Sequence, residues 1–441
     1  MTAELGISEE ELTDAYIYVL GRYLVIRQEH LDLARSGAEY NLIKHNPPVR
    51  TGSGTSAAPS FVNPNLDVVY SEAWIAVDEH TPAFLDVPAV PAGLYYTAQI
   101  VDEWAEILHN VNERNFPAHP SGRFAICLAG SSPDLPGDCV RLDIPTAKAK
   151  LLARVEIGDD ADRAVSLQHG FAVTSAGHPS ISRPVDIEPF TNNDLPGVWV
   201  FSQPRLDEAL AATDSCPRAG DVRPLADAAA AYADGSTENA AALDRLVHEV
   251  AIPGFFQRLA AFGLPVNGWG STGNRPDFGA DWAFRTLANY AGIWWNSALE
   301  ALYILLTPDD DGHWPSGDGS YTVRFEDGDD PAKHACAFWS LTLYSHPDMR
   351  LVPNPAGRYS LGRHSGITRD ADGGFTVYVG RELPAGAPET NWLPTPEGRE
   401  FTLCLRLYQP AADALAGTWN PPPLTPAKST RLGQLLHLAR R

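Results

Sequence analysis

The sequence has 441 residues, with 55 acidic against 33 basic side chains and a formal net charge of -22 at neutral pH. This excess of negative charge disfavours nonspecific binding to nucleic acid phosphates and to anionic membrane surfaces. A hydrophobic fraction of 44% with 20% charged residues is typical of globular chains and not of disordered ones. We therefore expect an acidic globular protein with no nucleic acid partner and no membrane partner.

Cysteine usage and the N-terminal sequence predict where the protein resides. The five cysteines include no CxxC pair, which fits a reducing compartment better than a secreted fold built on disulfides. The N-terminus MTAELGISEEELTD has neither a basic n-region nor an apolar h-region. No stretch approaches the ~18 consecutive apolar residues of a membrane span. We expect a cytoplasmic protein.

Sequence motifs for bound metals and cofactors are missing. The thirteen histidines form no HxH or HExxH pattern, and residues 309–312 lack the ligand spacing of a calcium loop. There is also no Walker A motif, no GxGxxG after a strand and no GxSxG nucleophile elbow. The sequence therefore favours chemistry that uses neither a metal nor a cofactor.

The first half of the chain is predicted to form a helix followed by a β domain. Ser8 and Glu11 have the spacing of a capping box, and apolar residues then recur at helical spacing, which predicts a helical segment within residues 1–60. Short β-rich runs separated by Pro and Gly predict a first β-sandwich domain at 61–203. These runs are DVVYSEAWIAV, AFLDV, GLYYTAQIV, RFAICLA and LLARVEI.

The second half repeats this order of helix and sheet. Helical spacing returns over 204–309, with one long helix predicted from Asp281 to Leu306 and a helix break expected at Pro253. A second β-sandwich domain is predicted at 310–424, and residues 425–441 form a C-terminal tail. Its strands are predicted at SYTVRF, ACAFWSLTLYS, GFTVYVG and EFTLCLRLYQP.

Several motifs resemble those of a known pair of families. They are AYIYVLGRYLVIR in the first helix, NPNLDVVYSEAW and LYYTAQIVDEW in the first β domain, and AFWSLTLYS, LVPNPAGRYSLG, NWLPTPEG, LRLYQP and GTWNPPP in the second. Together they resemble bacterial proteins that pair the domain-of-unknown-function families 1254, N-terminal, and 1214, C-terminal. The resemblance implies a mainly β, α+β fold of two jelly-roll-like antiparallel β-sandwich domains with helical additions. It also implies a homo-oligomer.

Two carboxylates of the first β domain are the candidate catalytic groups. Asp67 begins the run DVVYSEAWIAV, and Asp102 follows the run GLYYTAQIV. A carboxylate beside aromatic walls can have its pKa raised toward the working pH, as acid/base catalysis requires. An aspartate beside a turn can instead cap backbone N–H groups, and that alternative stays open. Tyr70 is the third catalytic candidate, as a hydrogen-bond donor to a substrate oxygen.

Neighbouring residues on the same strands are the candidate substrate-binding residues. Alternation places Tyr70, Glu72 and Trp74 on one strand face, while Trp104 follows the other strand just past its end. Tyrosines in a sandwich can equally be core residues with satisfied hydroxyls. The predicted pocket in this domain is lined by Glu72, Trp74, Tyr96, Gln99 and Trp104.

Aromatic and basic residues elsewhere could extend the pocket. Trp294 and Trp295 are predicted on the long helix, where they point about 100° apart and so cannot face the same neighbour. They either pack against a sheet or line an aromatic pocket. Arg358 in a loop and Arg406 on a polar strand face of the second domain would pair with an acidic neighbour or bind an anionic substrate group.

The sequence predicts an enzyme for a small, largely apolar organic molecule, with secondary metabolites among the candidate substrates. The reaction would be cofactor-independent acid/base catalysis, such as a cyclisation, isomerisation, elimination or hydrolysis. We expect the chemistry in the first β domain, because polar groups concentrate there, and a mainly structural second β domain. The alternative is a non-catalytic small-molecule-binding or assembly protein in which the same residues maintain packing.

Overall fold

The computed structural model describes residues 5–48, 64–261, 265–271 and 278–427. The chain divides into two compact units. Among the described residues, the first unit contains 5–48, 68–261 and 278–297, and the second contains 64–67, 265–271 and 298–427. Each unit holds two β-sheets. The predicted α+β fold with two mainly antiparallel β domains is confirmed.

The first unit begins with one long helix, α1 (Glu9–Leu33). The Ser8 hydroxyl accepts the backbone N–H of Glu11, and the Glu11 carboxylate accepts the backbone N–H of Ser8, so the predicted capping box is present. Buried residues occur all around α1. A helix that is buried on every face is enclosed by other elements, and its few polar residues must find partners inside the fold.

The sheets of the first unit have the orders β1-β2-β8-β4-β5 and β7-β6-β3-β9. All pairs are antiparallel except β6 with β7, which are parallel. Apolar side chains of both sheets, such as Val69, Leu85 and Phe124, share one core. The strands are β1 (Lys44–His45), β2 (Val68–Ala76), β3 (Ala83–Val87), β4 (Tyr96–Val101), β5 (Ile107–Val111), β6 (Gly122–Leu128), β7 (Val140–Ile144), β8 (Lys148–Glu156) and β9 (Ala172–Ser175).

Of the remaining helices of this unit, Ala161–Gln168 packs Ala164 into the core of the two sheets, and the others share a second core with α1. The helix break expected at Pro253 is instead a π-helical turn, Val247–Ala251, just before it. Pro253 then lies in the first turn of the next helix, where its missing N–H is tolerated. These helices are α2 (Ala161–Gln168), α3 (Arg205–Ala209), α4 (Ala219–Gly235), α5 (Thr237–Leu246), α6 (Ile252–Ala260) and α7 (Trp282–Gly292), with a 3₁₀ turn at Val198–Phe201.

The prediction of one long helix from Asp281 to Leu306 is wrong. α7 ends at Gly292, and Trp294 has φ +65°, a left-handed conformation that cannot continue a right-handed helix. The apolar run that follows forms a strand, β11 (Ala301–Leu306), in the second unit. Trp294 and Trp295 therefore lie in the segment after α7 and not on a helix.

The sheets of the second unit have the orders β10-β11-β17-β13-β14 and β16-β15-β12-β18. Pairing is antiparallel apart from β15 with β16. The other elements are β10 (Trp269–Ser271), β12 (Ser320–Phe325), β13 (Ala335–Ser345), β14 (Ser360–Gly362), β15 (Phe375–Gly380), β16 (Trp392–Leu393), β17 (Phe401–Pro410), α8 (Ala412–Leu415) and β18 (Thr425–Pro426), with 3₁₀ turns at Asp327–Asp329, Pro331–Lys333 and Glu389–Asn391.

Within the described residues, every helix is too short or too polar to cross a lipid bilayer.

Candidate functional site

A cavity of about 380 Å³ lies in the first unit, where α1 ends. Its wall is formed by the end of α1, the segment that follows it as far as β1, and parts of β2 and β8. This volume is at the lower end of the range for small-molecule sites. Apolar and charged side chains both contribute: Leu33, Leu42, Ile43, Ala73 and Trp74 among the first, and Asp32, Arg35, Glu39, Lys44, Glu72 and Lys150 among the second.

Lys150 is the central charged group of this cavity. Its Nζ donates to Asp32 Oδ2 and to Glu72 Oε2, both at 2.8 Å. The register of β8 against β2 places Lys150 opposite Trp74, and Nζ lies 5.4 Å from the centroid of the indole. Only 2% of the lysine side chain is exposed. An ammonium has three N–H groups, and the two carboxylates accept two of them.

Asp32 and Trp74 fix each other beside this ammonium. Trp74 Nε1 donates to Asp32 Oδ2 at 3.1 Å, and Gln28 donates to Asp32 Oδ1 at 2.8 Å. The ring of Trp294 packs edge-on against Trp74, with centroids 5.7 Å apart. The indole is therefore held in one orientation as part of the cavity wall.

Glu72 is a fixed anion in this arrangement. Burial opposes its ionisation, but the Lys150 ammonium, the hydrogen bond from Asn46 and the charge of Lys44 together lower the pKa of Glu72 to about 2. A carboxylate with so low a pKa is a weak proton acceptor near neutral pH. Its hydrogen bond with Lys150 holds that side chain in place.

A second buried group of charges lies next to the first. Lys148, two residues before Lys150 on β8, donates to Glu29 Oε1 at 2.8 Å, and Tyr40 donates to the same oxygen at 2.5 Å. Lys148 lines a different, smaller cavity of about 250 Å³ together with Arg22. Lys148 and Lys150 are thus two buried lysines of β8, and each lines a different cavity.

Of the sequence-predicted site residues, Glu72 and Trp74 line the 380 Å³ cavity. Tyr70 and Gln99 lie on the same sheet face but bind Arg154. The guanidinium of Arg154 lies 5.4 Å from the ring centroid of Tyr70 and donates to Gln99 Oε1 at 2.6 Å. Gln99 Nε2 and Arg154 also donate to the backbone carbonyls of Trp295 and Trp294, at 2.6 and 2.9 Å. This group fixes the segment after α7.

Three of the predicted aromatic residues are packed inside the first unit. Tyr96 is in the sandwich core, and its hydroxyl donates to the carbonyl of Pro120 at 2.6 Å. Trp104 stacks on Tyr18 with centroids 4.9 Å apart and is 1% exposed. Trp295 packs against an apolar cluster of Phe278, Phe284 and Ala288. These rings do not line the 380 Å³ cavity.

Asp102 caps a turn, which was the alternative left open by the sequence. Its Oδ1 accepts the backbone N–H groups of Trp104 at 2.8 Å and Glu106 at 2.9 Å. The side chain is fully buried, and that burial raises the pKa of Asp102 to about 6, although Arg285 opposes the rise. The pKa of Asp102 is raised, but its carboxylate is buried and accepts two backbone N–H groups of a turn.

Asp67 belongs to the second unit, apart from the other predicted carboxylate. Its Oδ2 accepts hydrogen bonds from Ser340 at 2.6 Å and Tyr408 at 3.3 Å, and Asn65 donates to the Tyr408 hydroxyl at 2.7 Å. Six polar groups were expected in the first β domain, but Asp67 lies in the second unit, and β8 separates the strands β2 and β4 that carry or adjoin the others. The six residues are Asp67, Tyr70, Glu72, Tyr96, Gln99 and Asp102.

The two predicted arginines of the second unit bind its own groups. Arg406 is buried on β17 and donates to Thr342 Oγ1 at 3.1 Å and to the Tyr344 hydroxyl at 2.7 Å. Both hydroxyl groups belong to the adjacent strand β13. Arg358 donates to the backbone carbonyl oxygen of Glu389, and its guanidinium lies 3.6 Å from the Glu389 carboxylate, which is an acidic neighbour of the kind expected.

Five charged residues of the cavity were missed from the sequence: Asp32, Arg35, Glu39, Lys44 and Lys150. Asp32, Arg35 and Lys150 lie in segments that carried no recognised motif, and Lys150 is 118 residues from Asp32. A compositional signal was nevertheless available. The chain has only five lysines, and Lys44 and Lys150 both line this cavity. In the described residues, no group of three or more His, Cys, Asp or Glu side chains is arranged to hold a metal ion.

Two family models match this chain, one in each half. The family model DUF1254, a protein of unknown function, matches residues 45–175, and DUF1214, also a protein of unknown function, matches residues 300–412. The chain therefore belongs to the proteins that combine these two domains in this order, as its motifs predicted.

A solved structure shares the fold. The VPA0106 protein from Vibrio parahaemolyticus aligns with a TM-score of 0.68 and 18% identity, over 96% of this chain and 100% of that chain. An uncharacterized protein from Burkholderia cenocepacia aligns with a TM-score of 0.43 and 16% identity, over 96% of this chain and 93% of that one. Comparison with curated proteins gives no match.

Proposed function

We propose that the protein is an enzyme that binds a small, largely apolar organic molecule in the 380 Å³ cavity and rearranges it without a cofactor. The observation that carries the proposal is the buried ammonium of Lys150, held between Asp32 and Glu72 beside the indole of Trp74. Apolar side chains together with a few convergent polar groups are the usual composition of a small-molecule site.

Lys150 would act on an oxygen atom of the substrate. Its third N–H would donate to a carbonyl oxygen and stabilise negative charge that develops there, in a site of low dielectric where such a bond is strong. The α-proton that the carbonyl compound loses would pass to solvent water and return from it when the product forms, while Nζ keeps its own proton and the protein is left unchanged. Isomerisation and cyclisation of a carbonyl compound fit this cycle.

Ligand binding can be tested by the fluorescence of the cavity tryptophan. Titration with a lipophilic ketone such as cyclohexyl phenyl ketone is expected to quench emission in the wild type. Trp74→Phe should lose most of that quenching. Trp199→Phe, which removes a tryptophan that does not line the cavity, should keep it. Equal quenching in Trp74→Phe and the wild type would place the ligand elsewhere.

Catalysis can be tested without the natural substrate. A ketone whose oxygen accepts a strong hydrogen bond enolises faster, so its α-hydrogens should exchange with D₂O faster in the presence of the protein. Proton NMR measures this exchange. Lys150→Met should abolish the acceleration, while Lys148→Met, which removes a comparable buried ammonium from the neighbouring cavity, should retain it.

A non-catalytic binding protein is the second candidate. It is favoured by the low pKa of Glu72, because a carboxylate that stays ionised to about pH 2 is a poor base. Quenching of Trp74 without any accelerated exchange would support this second function over the first.

A further inference from the structure

We infer that the ligand of the 380 Å³ cavity is an organic acid whose carboxylate is bound by Arg35 and Lys44 at the cavity mouth. The inference rests on the proposed function, because it names the class of molecule that the same cavity takes. The hydrogen-bond donors and acceptors that line the cavity differ in how fully they are already engaged.

The carboxylate oxygens of the cavity floor are engaged. Asp32 Oδ1 accepts from Gln28 at 2.8 Å, and Oδ2 accepts from Lys150 at 2.8 Å. Glu72 Oε1 accepts from Asn46 at 2.9 Å, and Oε2 accepts from Lys150 at 2.8 Å. A ligand amine would have to compete with these short bonds for the same oxygens. The floor is therefore poorly suited to a cation.

The basic side chains at the mouth are much less engaged. Arg35 lies 3.3 Å from Asp32 Oδ1 and 3.5 Å from Glu72 Oε1, and Lys44 Nζ lies 3.9 Å from Glu72 Oε1. Charge-assisted hydrogen bonds are typically about 2.7–2.9 Å long. Both side chains are about half exposed, at 48% and 53%. Both can turn toward a ligand at little cost in side-chain packing.

The supply of donors at this mouth therefore exceeds the supply of open acceptors. A guanidinium carries five N–H groups in a fork that matches a carboxylate, and an ammonium carries three. Glu39 is the opposing charge at the mouth, and it is exposed to solvent. A carboxylate at the mouth would leave the apolar body of the ligand against Leu33, Ile43 and Trp74, and its far end near Lys150.

Three probes of the same shape and different charge test this inference. Isothermal titration calorimetry would compare 2-naphthoate, 2-acetylnaphthalene and 2-naphthylmethylamine, which are an anion, a neutral ketone and a cation. We expect the naphthoate to bind at least 10-fold more tightly than either of the others, despite the net charge of -22 on the protein. Added salt should reduce this preference.

Charge-removing variants distinguish the mouth from the overall field of the protein. Arg35→Gln combined with Lys44→Gln should weaken naphthoate binding at least 10-fold and leave the affinity for the ketone within 2-fold. Arg218→Gln, which removes an exposed arginine that pairs with Asp221 away from the cavity, should change neither. Binding of the ketone with no preference for the anion, or with preference for the amine, would overturn the inference and leave the proposed function standing. Failure of all three probes to bind would overturn both.

Discussion

Lys150 Nζ lies 2.8 Å from Glu72 Oε2, although the two residues are 78 positions apart in the chain. The pair exists because β2 and β8 are adjacent and antiparallel, and because both side chains point to the sheet face that α1 covers. The same lysine also bonds Asp32 on α1. One ammonium therefore joins a helix and two strands, and its removal should affect stability as well as binding.

The first prediction concerns the ion pairs of Lys150 with Asp32 and Glu72. Lys150→Met leaves Asp32 and Glu72 buried and without their cation, and breaking such a pair costs about 3–5 kcal/mol. Adding Glu72→Gln to Lys150→Met should recover part of that loss, because one of the two stranded charges is then removed. Urea denaturation of the wild type, both single variants and the double variant measures the coupling. A coupling energy below about 0.5 kcal/mol would mean that the two side chains act independently.

The second prediction is the pH dependence that Glu72 contributes. Its pKa of about 2 in the folded protein lies below the ordinary value of 4.5, so its stabilising contribution is complete above about pH 4.5 and is lost as the pH falls toward 2. The stability advantage of the wild type over Glu72→Gln should shrink by about 2 kcal/mol between pH 6 and pH 3. Denaturant unfolding at both pH values measures it, and an unchanged difference would contradict the charged pair.

The third prediction has the opposite sign and concerns Asp102. Burial raises its folded pKa to about 6, above the ordinary 3.8, so the unfolded chain releases this proton first and stability falls as the pH rises from about 4 to 6. In Asp102→Asn the amide oxygen can still accept the N–H groups of Trp104 and Glu106. This variant should therefore gain about 2 kcal/mol relative to the wild type between pH 4 and pH 7.

Asp102→Ala is the matched control, because it removes the cap as well as the charge. It should lose about 1–3 kcal/mol relative to Asp102→Asn at every pH, since two buried backbone N–H groups are left without an acceptor. Thermal unfolding at pH 4 and pH 7 compares the three proteins. If Asp102→Asn abolishes catalysed exchange of a bound ketone while remaining folded, Asp102 is catalytic and the capping assignment is incomplete.

Local patterns were sufficient to predict most of the strands and the first helix cap. The period-2 runs around Tyr70 and Arg406 became β2 and β17, because alternation reports directly on a sheet with one apolar face. The prediction of a helix through Trp294 was wrong. Trp294 has a positive φ, and residues 293–300 connect a helical run to a β-forming run. Hydrophobic periodicity does not reveal such a change of backbone conformation.

The candidate site was harder to predict, because its charges meet only through tertiary packing. Glu72 and Trp74 were chosen from their strand face, and both line the cavity. Asp32 occurs on a helix that is buried all round, so its position carried no amphipathic signal. Lys150 lies in a strand that alternates polar and apolar residues, and such a pattern is typical of a lysine exposed to solvent. Only the register of β8 against β2, and α1 lying over both, makes it a buried ion pair.

The fourth prediction separates the two carboxylates that the sequence treated alike, Asp67 and Asp102. Asp67 lies in the second unit, where it accepts hydrogen bonds from Ser340 and Tyr408. Asp67→Ala should therefore cost about 1–3 kcal/mol of stability, since it removes the carboxylate that accepts hydrogen bonds from the buried residues Ser340 and Tyr408. Tyr408→Phe should cost less, because its 3.3 Å contact is the weaker of the two. Neither variant should change the affinity of the 380 Å³ cavity for a naphthalene probe, measured by calorimetry. A loss of ligand affinity in Asp67→Ala, with Tyr408→Phe unchanged and both proteins folded, would show that the binding site includes Asp67 and that the cavity beside Lys150 is not the functional one.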